Sequence, residues 1–308
     1  MQTPLPVDWA DPPHELLGFI AQFLAAGAIG FRYFALRLPR VEADRPFYDD
    51  AAQRSAVIGV VGVALSIVLM VLGLPALAAR RHVTATALLT SDSQTMLQAG
   101  FLIVAIIGFV LCAMRIAAGW PLAAVGVIVA SLRAVFSGRW ASLVNPVHVL
   151  AAGLWIGTLF VLVTAGISAL FRNEATRERR GIIAADLVNG FSPFALTMGA
   201  IVVLFGVITA WRHLHVLSNL WATPYGITLI VKLVFVAAVF GLGAWNWRRQ
   251  RPMLGSEPAA VAIRRSAKAE LTVAGVVLVI TSLLVSLPSP RPPGAVPRAG
   301  VGAPTAAP

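Results

Sequence analysis

The feature that most constrains this chain is a series of eight apolar runs, each of at least 17 residues. They cover approximately residues 16–36, 56–79, 93–113, 120–136, 146–171, 190–211, 224–246 and 269–287. Each is long enough to cross a hydrocarbon core about 30 Å thick as a helix. The expected fold is therefore all-α, a polytopic transmembrane bundle of about eight helices. Composition agrees: 58% of the 308 residues are hydrophobic and only 12% are charged, about half the charge of a soluble domain. The fourth run is the shortest. It opens at Trp120-Pro121, and proline suits a first helical turn, where its missing N–H would be unpaired anyway.

The polar stretches 37–55, 172–189 and 247–268 read as loops. The chain divides into an N-terminal four-helix half (1–144), a second four-helix half (145–287) and a Pro/Ala/Gly-rich tail (288–308) that is expected to be disordered. The first fifteen residues carry Asp8, Asp11 and Glu15 and no Lys or Arg. A signal peptide needs a basic start, so the first run reads as a retained span. A net charge of +11 in a soluble protein would raise nucleic acid as a partner. Here the basic residues sit between apolar runs and report topology, with lipid as the partner. Sixteen of the 24 follow runs one, three, five and seven, among them Arg37, Arg40, Arg172, Arg177, Arg179, Arg180, Arg248 and Arg249. Seven lie on the other side or in the tail, and Lys232 lies within a run. This bias places the odd-numbered loops in the cytoplasm and both termini outside. Seven of the eight tryptophans, Trp9, Trp120, Trp140, Trp211, Trp221, Trp245 and Trp247, fall near span ends, where interfacial belts favour them. Trp155 lies deeper.

On this topology all five histidines share the extracytoplasmic face: His14, His82, His148, His213 and His215. Imidazole is the commonest neutral nitrogen ligand for copper, zinc, iron and nickel. A lone loop histidine is usually only solvated. His148, in the first turn of its span, is costlier to leave without a partner. His213 and His215 point the same way only in extended backbone, so they can share one ion only if the helix has ended by Arg212 or His213. Thioether and thiolate groups select Cu(I). Met96, Met70, Met198, Cys112 and Met114 could form a ladder of weak sites, although methionine is also a common packing residue. Cys112 is the only cysteine, so neither an intrachain disulfide nor a Cys-rich metal site is available. Lys232 lies about two turns into its span, a costly place for a cation, with no Asp or Glu expected well inside any span. Gly153-x-x-x-Gly157 would permit close helix packing. No phosphate loop, His-Glu-x-x-His, GxSxG or pair of buried carboxylates is present, so the expectation is a protein that is not an enzyme.

The second half carries "HVLAAGLWIGTLF" with His148, Trp155 and Gly157, then "GFSPFAL" with Phe191 and Ser192, then "YGITLIVK" with Tyr225, Gly226, Leu229 and Lys232, and Asn246 beyond it. In order and spacing these elements resemble the copper resistance protein CopD family over roughly residues 145–287. The resemblance implies a bacterial inner-membrane protein of copper homeostasis that brings copper, Cu(I) or Cu(II), from periplasm to cytoplasm. It also implies a small periplasmic copper-binding partner of the CopC type, here a separate chain because no soluble domain fits in this sequence. His148 is the residue most readily carried over as functional; Lys232 carries over as a motif residue. Two other readings stay open. One is a b-type haem protein with a single haem near the outer face, since no histidine lies at mid-membrane or at the inner face. The other is an accessory subunit that transports nothing.

Overall fold

The computed structural model describes residues 11–36, 41–250 and 255–290. Among them are eight helices long and apolar enough to span a membrane: α1 (Asp11–Ala35), α2 (Glu42–Arg81), α3 (Ser93–Ala113), α4 (Gly119–Ser137), α5 (Trp140–Arg172), α6 (Glu174–Leu214), α7 (Pro224–Arg249) and α8 (Glu257–Ser286). No strand occurs among the described residues. The chain is thus a multi-pass membrane protein, and each helix contains one of the eight apolar runs. Asp8, Trp9, Arg37, Arg40, Arg251 and nearly all of the Pro/Ala/Gly-rich tail lie outside the described residues.

Successive helices alternate in direction, so the bundle has two ends. One carries all five histidines and is called here the histidine end. The other, the arginine end, differs from expectation. The polar stretches read as loops are largely helical, since α2 begins at Glu42, α6 at Glu174 and α8 at Glu257. Their mean hydropathy is low, but each carries apolar residues at helical spacing. Phe47, Tyr48 and Ala51 of α2, Ile183, Ala184 and Leu187 of α6, and Ala260, Ile263 and Ala267 of α8 are all buried in one cluster with the ends of α1 and α5. A one-sided apolar stripe is enough to keep a helix going when neighbours cover it. Ion pairs tie the same layer together. Asp44 of α2 accepts two hydrogen bonds from Arg179 of α6, at 2.9 and 2.7 Å. Arg180 reaches Glu174 at 3.4 Å and Glu257 at 3.7 Å.

A second cluster joins the bodies of α1 to α4 with the start of α5. It includes Trp120, which is buried, edge-on to Phe109 at 6.1 Å and covered by the Arg32 guanidinium at 5.8 Å. Trp120 lies at a span end as expected, but its ring is buried because α3 packs against it. Trp140, Trp211, Trp221, Trp245 and Trp247 are exposed, as an interfacial belt requires. At the histidine end, α3 has a well-made start. Asp92 accepts the Thr95 backbone N–H (3.0 Å) and hydroxyl (2.5 Å), and Arg81 donates to it at 2.7 Å. These bonds, led by the Thr95 hydroxyl, hold the Asp92 carboxyl below its ordinary pKa.

The two clusters meet where α1 crosses α5. A Cβ placed on Gly27 would lie 2.2 Å from the carbonyl carbon of Gly157, and one on Gly157 would lie 2.0 Å from the Phe23 carbonyl oxygen. The backbones therefore touch, and the Thr158 hydroxyl donates across to Gly27 O at 3.5 Å. Beside this contact α5 is not regular: π-helical turns occupy Gly153–Gly157 and Leu162–Ile167. Overpacking a tight contact costs about 1–3 kcal/mol, occasionally more. Gly157→Ala is expected to lower stability in detergent by at least that much. Gly18→Ala, on the same α1 but with nothing within 4 Å of the new methyl, should leave it unchanged. Equal melting temperatures for the two variants would show that the crossing is not close-packed.

Candidate functional site

Helices α5, α6 and α7 place polar and aromatic residues on three levels. The first holds His148. Its Nδ1 lies 2.9 Å from the carbonyl oxygen of Val202 on α6. A carbonyl can only accept, so Nδ1 carries the proton and Nε2 is left with a free lone pair. Metal-binding histidines are commonly fixed in this way, one nitrogen donating to a carbonyl and the other ligating. The ring fits because its neighbour is glycine: a Cβ on Gly206 would lie 2.9 Å from His148 Cε1. Lys232 of α7 is within Coulombic reach of the same ring. It makes no ion pair or hydrogen bond among the described residues.

The second level lies seven residues further along α5, about two turns or ~10 Å. Trp155, in the first π turn, packs on Phe240 of α7 with ring centroids 4.6 Å apart. Gly199 of α6 again makes the space, since a Cβ there would lie 3.1 Å from Phe240 Cε1 and 3.9 Å from Trp155 Cη2. The third level is nearer the arginine end. Asn246 of α7 donates to Glu270 Oε1 of α8 at 2.6 Å, while Oε2 faces Gly243. Sequence reasoning missed Glu270. The apolar run appeared to start at 269, which left Glu270 at its edge; α8 starts at Glu257, so Glu270 is mid-helix. The signal available was an Asn and a Glu on consecutive spans of opposite direction.

The other histidines are more exposed. His213 is half-buried, its Nδ1 2.8 Å from Thr209 O and its ring stacked on Tyr225 at 5.9 Å. α6 runs through Leu214, and His215 follows it with φ 59°. The extended spacing that would let His213 and His215 share one ion is therefore absent. Arg212, beside them, donates to Ala141 O at the start of α5. His82 ends α2 in the left-handed conformation and is exposed. His14 lies in the first turns of α1 and lines a cleft with Met70. The remaining sulfur groups are dispersed. Met96 and Met114 are exposed, Cys112 is buried where α3 meets Gly119 of α4, and Met198 packs against the arginine-end cluster. Among the described residues no three His, Cys, Asp or Glu side chains gather as a metal site.

Residues 185–284 match the family described as copper resistance protein D. That stretch is α6, α7 and α8 almost entire. It contains Gly199, Gly206, Tyr225, Lys232, Phe240, Asn246 and Glu270, while His148 and Trp155 reach it from α5 and Gly157 faces α1 instead. A relative from Bacillus subtilis (strain 168), the copper transport protein CutJ, is 28% identical over 151 residues. The shared stretch is 49% of this chain and 26% of the relative, so the match spans about a quarter of that protein's length. No solved structure matches. The likeness to copper resistance protein D thus covers every partner named on the three levels except His148 and Trp155, which α5 supplies.

The third level gives a test of its own. Removing one member of a fully buried polar pair costs about 1–3 kcal/mol, whereas removing both can be nearly neutral; the half-buried Asn246–Glu270 pair falls in the lower part of that range. Asn246→Leu should destabilise the protein by that amount in detergent, and Asn246→Leu/Glu270→Leu should recover most of it. A double variant as unstable as the single one would mean that Glu270 is satisfied by water instead.

Proposed function

We propose that this protein carries copper ions across the bacterial inner membrane, from the histidine end to the arginine end. The observation that carries the reading is His148. It is a half-buried imidazole with Nδ1 committed to Val202 and Nε2 free, set against helices that resemble copper resistance protein D. Copper is cargo here, so a site must bind and also release. A single anchored imidazole is a weak site, and the Lys232 cation beside it opposes any cation held there. Both properties favour passage over storage. The arginine bias makes the histidine end periplasmic, and a separate CopC-type protein is the partner expected to deliver copper to it.

Below His148, the Trp155–Phe240 pair fills the space between α5, α6 and α7. In this reading the pair is the closed constriction between the His148 level and the Asn246–Glu270 level. An ion passes when the rings part, and the unpaired Oε2 of Glu270 then offers a negative group on the far side.

The decisive measurement is copper uptake into proteoliposomes loaded with a copper-sensing dye. Wild-type protein should give uptake well above empty liposomes, and His148→Ala should reduce it at least tenfold without a change in melting temperature. Wild-type uptake equal to that of empty liposomes overturns the reading. Wild-type uptake that His148→Ala leaves intact removes His148 from it.

A further inference from the structure

The histidine end holds a second cluster of copper-binding chemistry, away from α5 to α7. A cleft of about 300 Å³ opens between α1, α2 and α3. Its wall includes the His14 imidazole and Glu15 carboxylate from α1, Ser66 and Met70 from α2, and Thr95 and Gln98 from α3. The pattern follows from helical spacing. Ser66 and Met70 are four residues apart, and Thr95 and Gln98 three apart, so each pair lies on one face of its helix. Among the described residues, no Lys or Arg lines the cleft. Thr95 is fixed in place by its two bonds to Asp92, whose charge is already matched by Arg81. The donor groups on this wall are the His14 imidazole, the Met70 thioether, the Glu15 carboxylate, the Gln98 amide oxygen and the Ser66 hydroxyl oxygen.

We propose that this cleft binds a soft monovalent copper ion, Cu(I), through Met70 and His14, with Glu15 supplying negative charge, as a site separate from His148. The choice of metal rests on the function proposed above; the site itself rests on the cleft. Thioether and imidazole together select Cu(I) over the hard divalent ions that a carboxylate alone would attract. The cleft also sets Met70 apart from Met96 and Met114, which are exposed, and Met198, which packs against the arginine-end cluster. His14 is exposed and Met70 half-buried, so an ion meets nitrogen first and sulfur deeper.

The test is Cu(I) titration of the full chain in detergent against a chromophoric Cu(I) chelator, with X-ray absorption on the loaded protein. Wild type should bind at least two equivalents and show sulfur scattering at the metal. Met70→Leu, which conserves volume, should lose the sulfur scatterer and weaken one equivalent at least tenfold. His14→Gln, at an exposed position, should weaken the same equivalent. His148→Ala should leave that equivalent intact. Sulfur scattering and stoichiometry unchanged in both Met70→Leu and His14→Gln would overturn the proposal. This outcome is distinct from failure of transport: Cu(I) binding in the cleft without uptake into proteoliposomes sinks the proposed function and leaves the site standing.

Discussion

Everything in this bundle is referenced to the contact between α1 and α5. In lipid, two helices gain little by hiding apolar side chains from each other, because the tails are as apolar as leucine. Association then depends on close packing, which is closest where no side chain intervenes. Gly27 and Gly157 provide that place. Because α1 also packs into both large clusters, the crossing joins the four-helix body formed by α1 to α4 to the α5–α8 region. The core therefore runs across the boundary at residue 144 on which a two-part division of the chain would rest. The crossing also sets the position of α5, and with it His148 one side of the contact and the second π turn on the other.

The first two levels on α5 to α7 share a construction rule. At each, a glycine makes room for the chemically distinctive group: Gly206 beside His148, and Gly199 beside Trp155 and Phe240. Bulky or polar side chains are thus accommodated by removing a side chain from the facing helix, without spreading the helices apart. The π turn at Gly153–Gly157 belongs to the same economy of space. It inserts an extra residue per turn where α5 must satisfy α1 on one face and α7 on the other, and such bulges recur at functional positions. Electrostatically the levels differ in sign, with the Lys232 cation near His148 and the Glu270 carboxylate on the far side of the aromatic pair. A cation moving between them passes from repulsion to attraction.

The number and positions of the spans were legible in the sequence because hydropathy is a local sum, and eight runs became eight helices. The Gly153-x-x-x-Gly157 signal was legible too, although its partner could not be read. Gly27 lies over a hundred residues away and nothing in its own neighbourhood marks it. The extended starts of α2, α6 and α8 were hidden from a hydropathy sum but not from periodicity. Phe47–Tyr48–Ala51, Ile183–Ala184–Leu187 and Ala260–Ile263–Ala267 repeat at three and four residues. Glu270 was lost for the same reason, because a span read too short puts a mid-helix carboxylate at its margin. His148 was singled out by its position in a first turn, yet the groups that define its environment, Val202 and Gly206, carry no chemical signal in sequence. The two histidines of "WRHLH" were legible as a pair only in sequence. The helix runs past the first and turns before the second.

The arginine end explains how the site region is held while the histidine end stays open. Asp44 is buried and accepts both nitrogens of a fork from Arg179. A bidentate pair of this kind adds little net stability, since desolvation offsets much of the attraction. What it contributes is geometry, because the planar guanidinium meets a carboxylate squarely in only one register. Arg180, with Glu174 on one side and Glu257 on the other, extends the same constraint to α8. The starts of α2, α6 and α8 are thereby locked in one layer over the apolar cluster. At the opposite end α2 and α3, and α6 and α7, are joined by segments that each contain a short helix, His82 and His215 are exposed, and a cleft opens between α1, α2 and α3. The ion pairs that join three helix starts in one layer are thus found at the end away from the imidazoles. On the function proposed above, the imidazole end is the one at which an ion is accepted before it meets the aromatic pair.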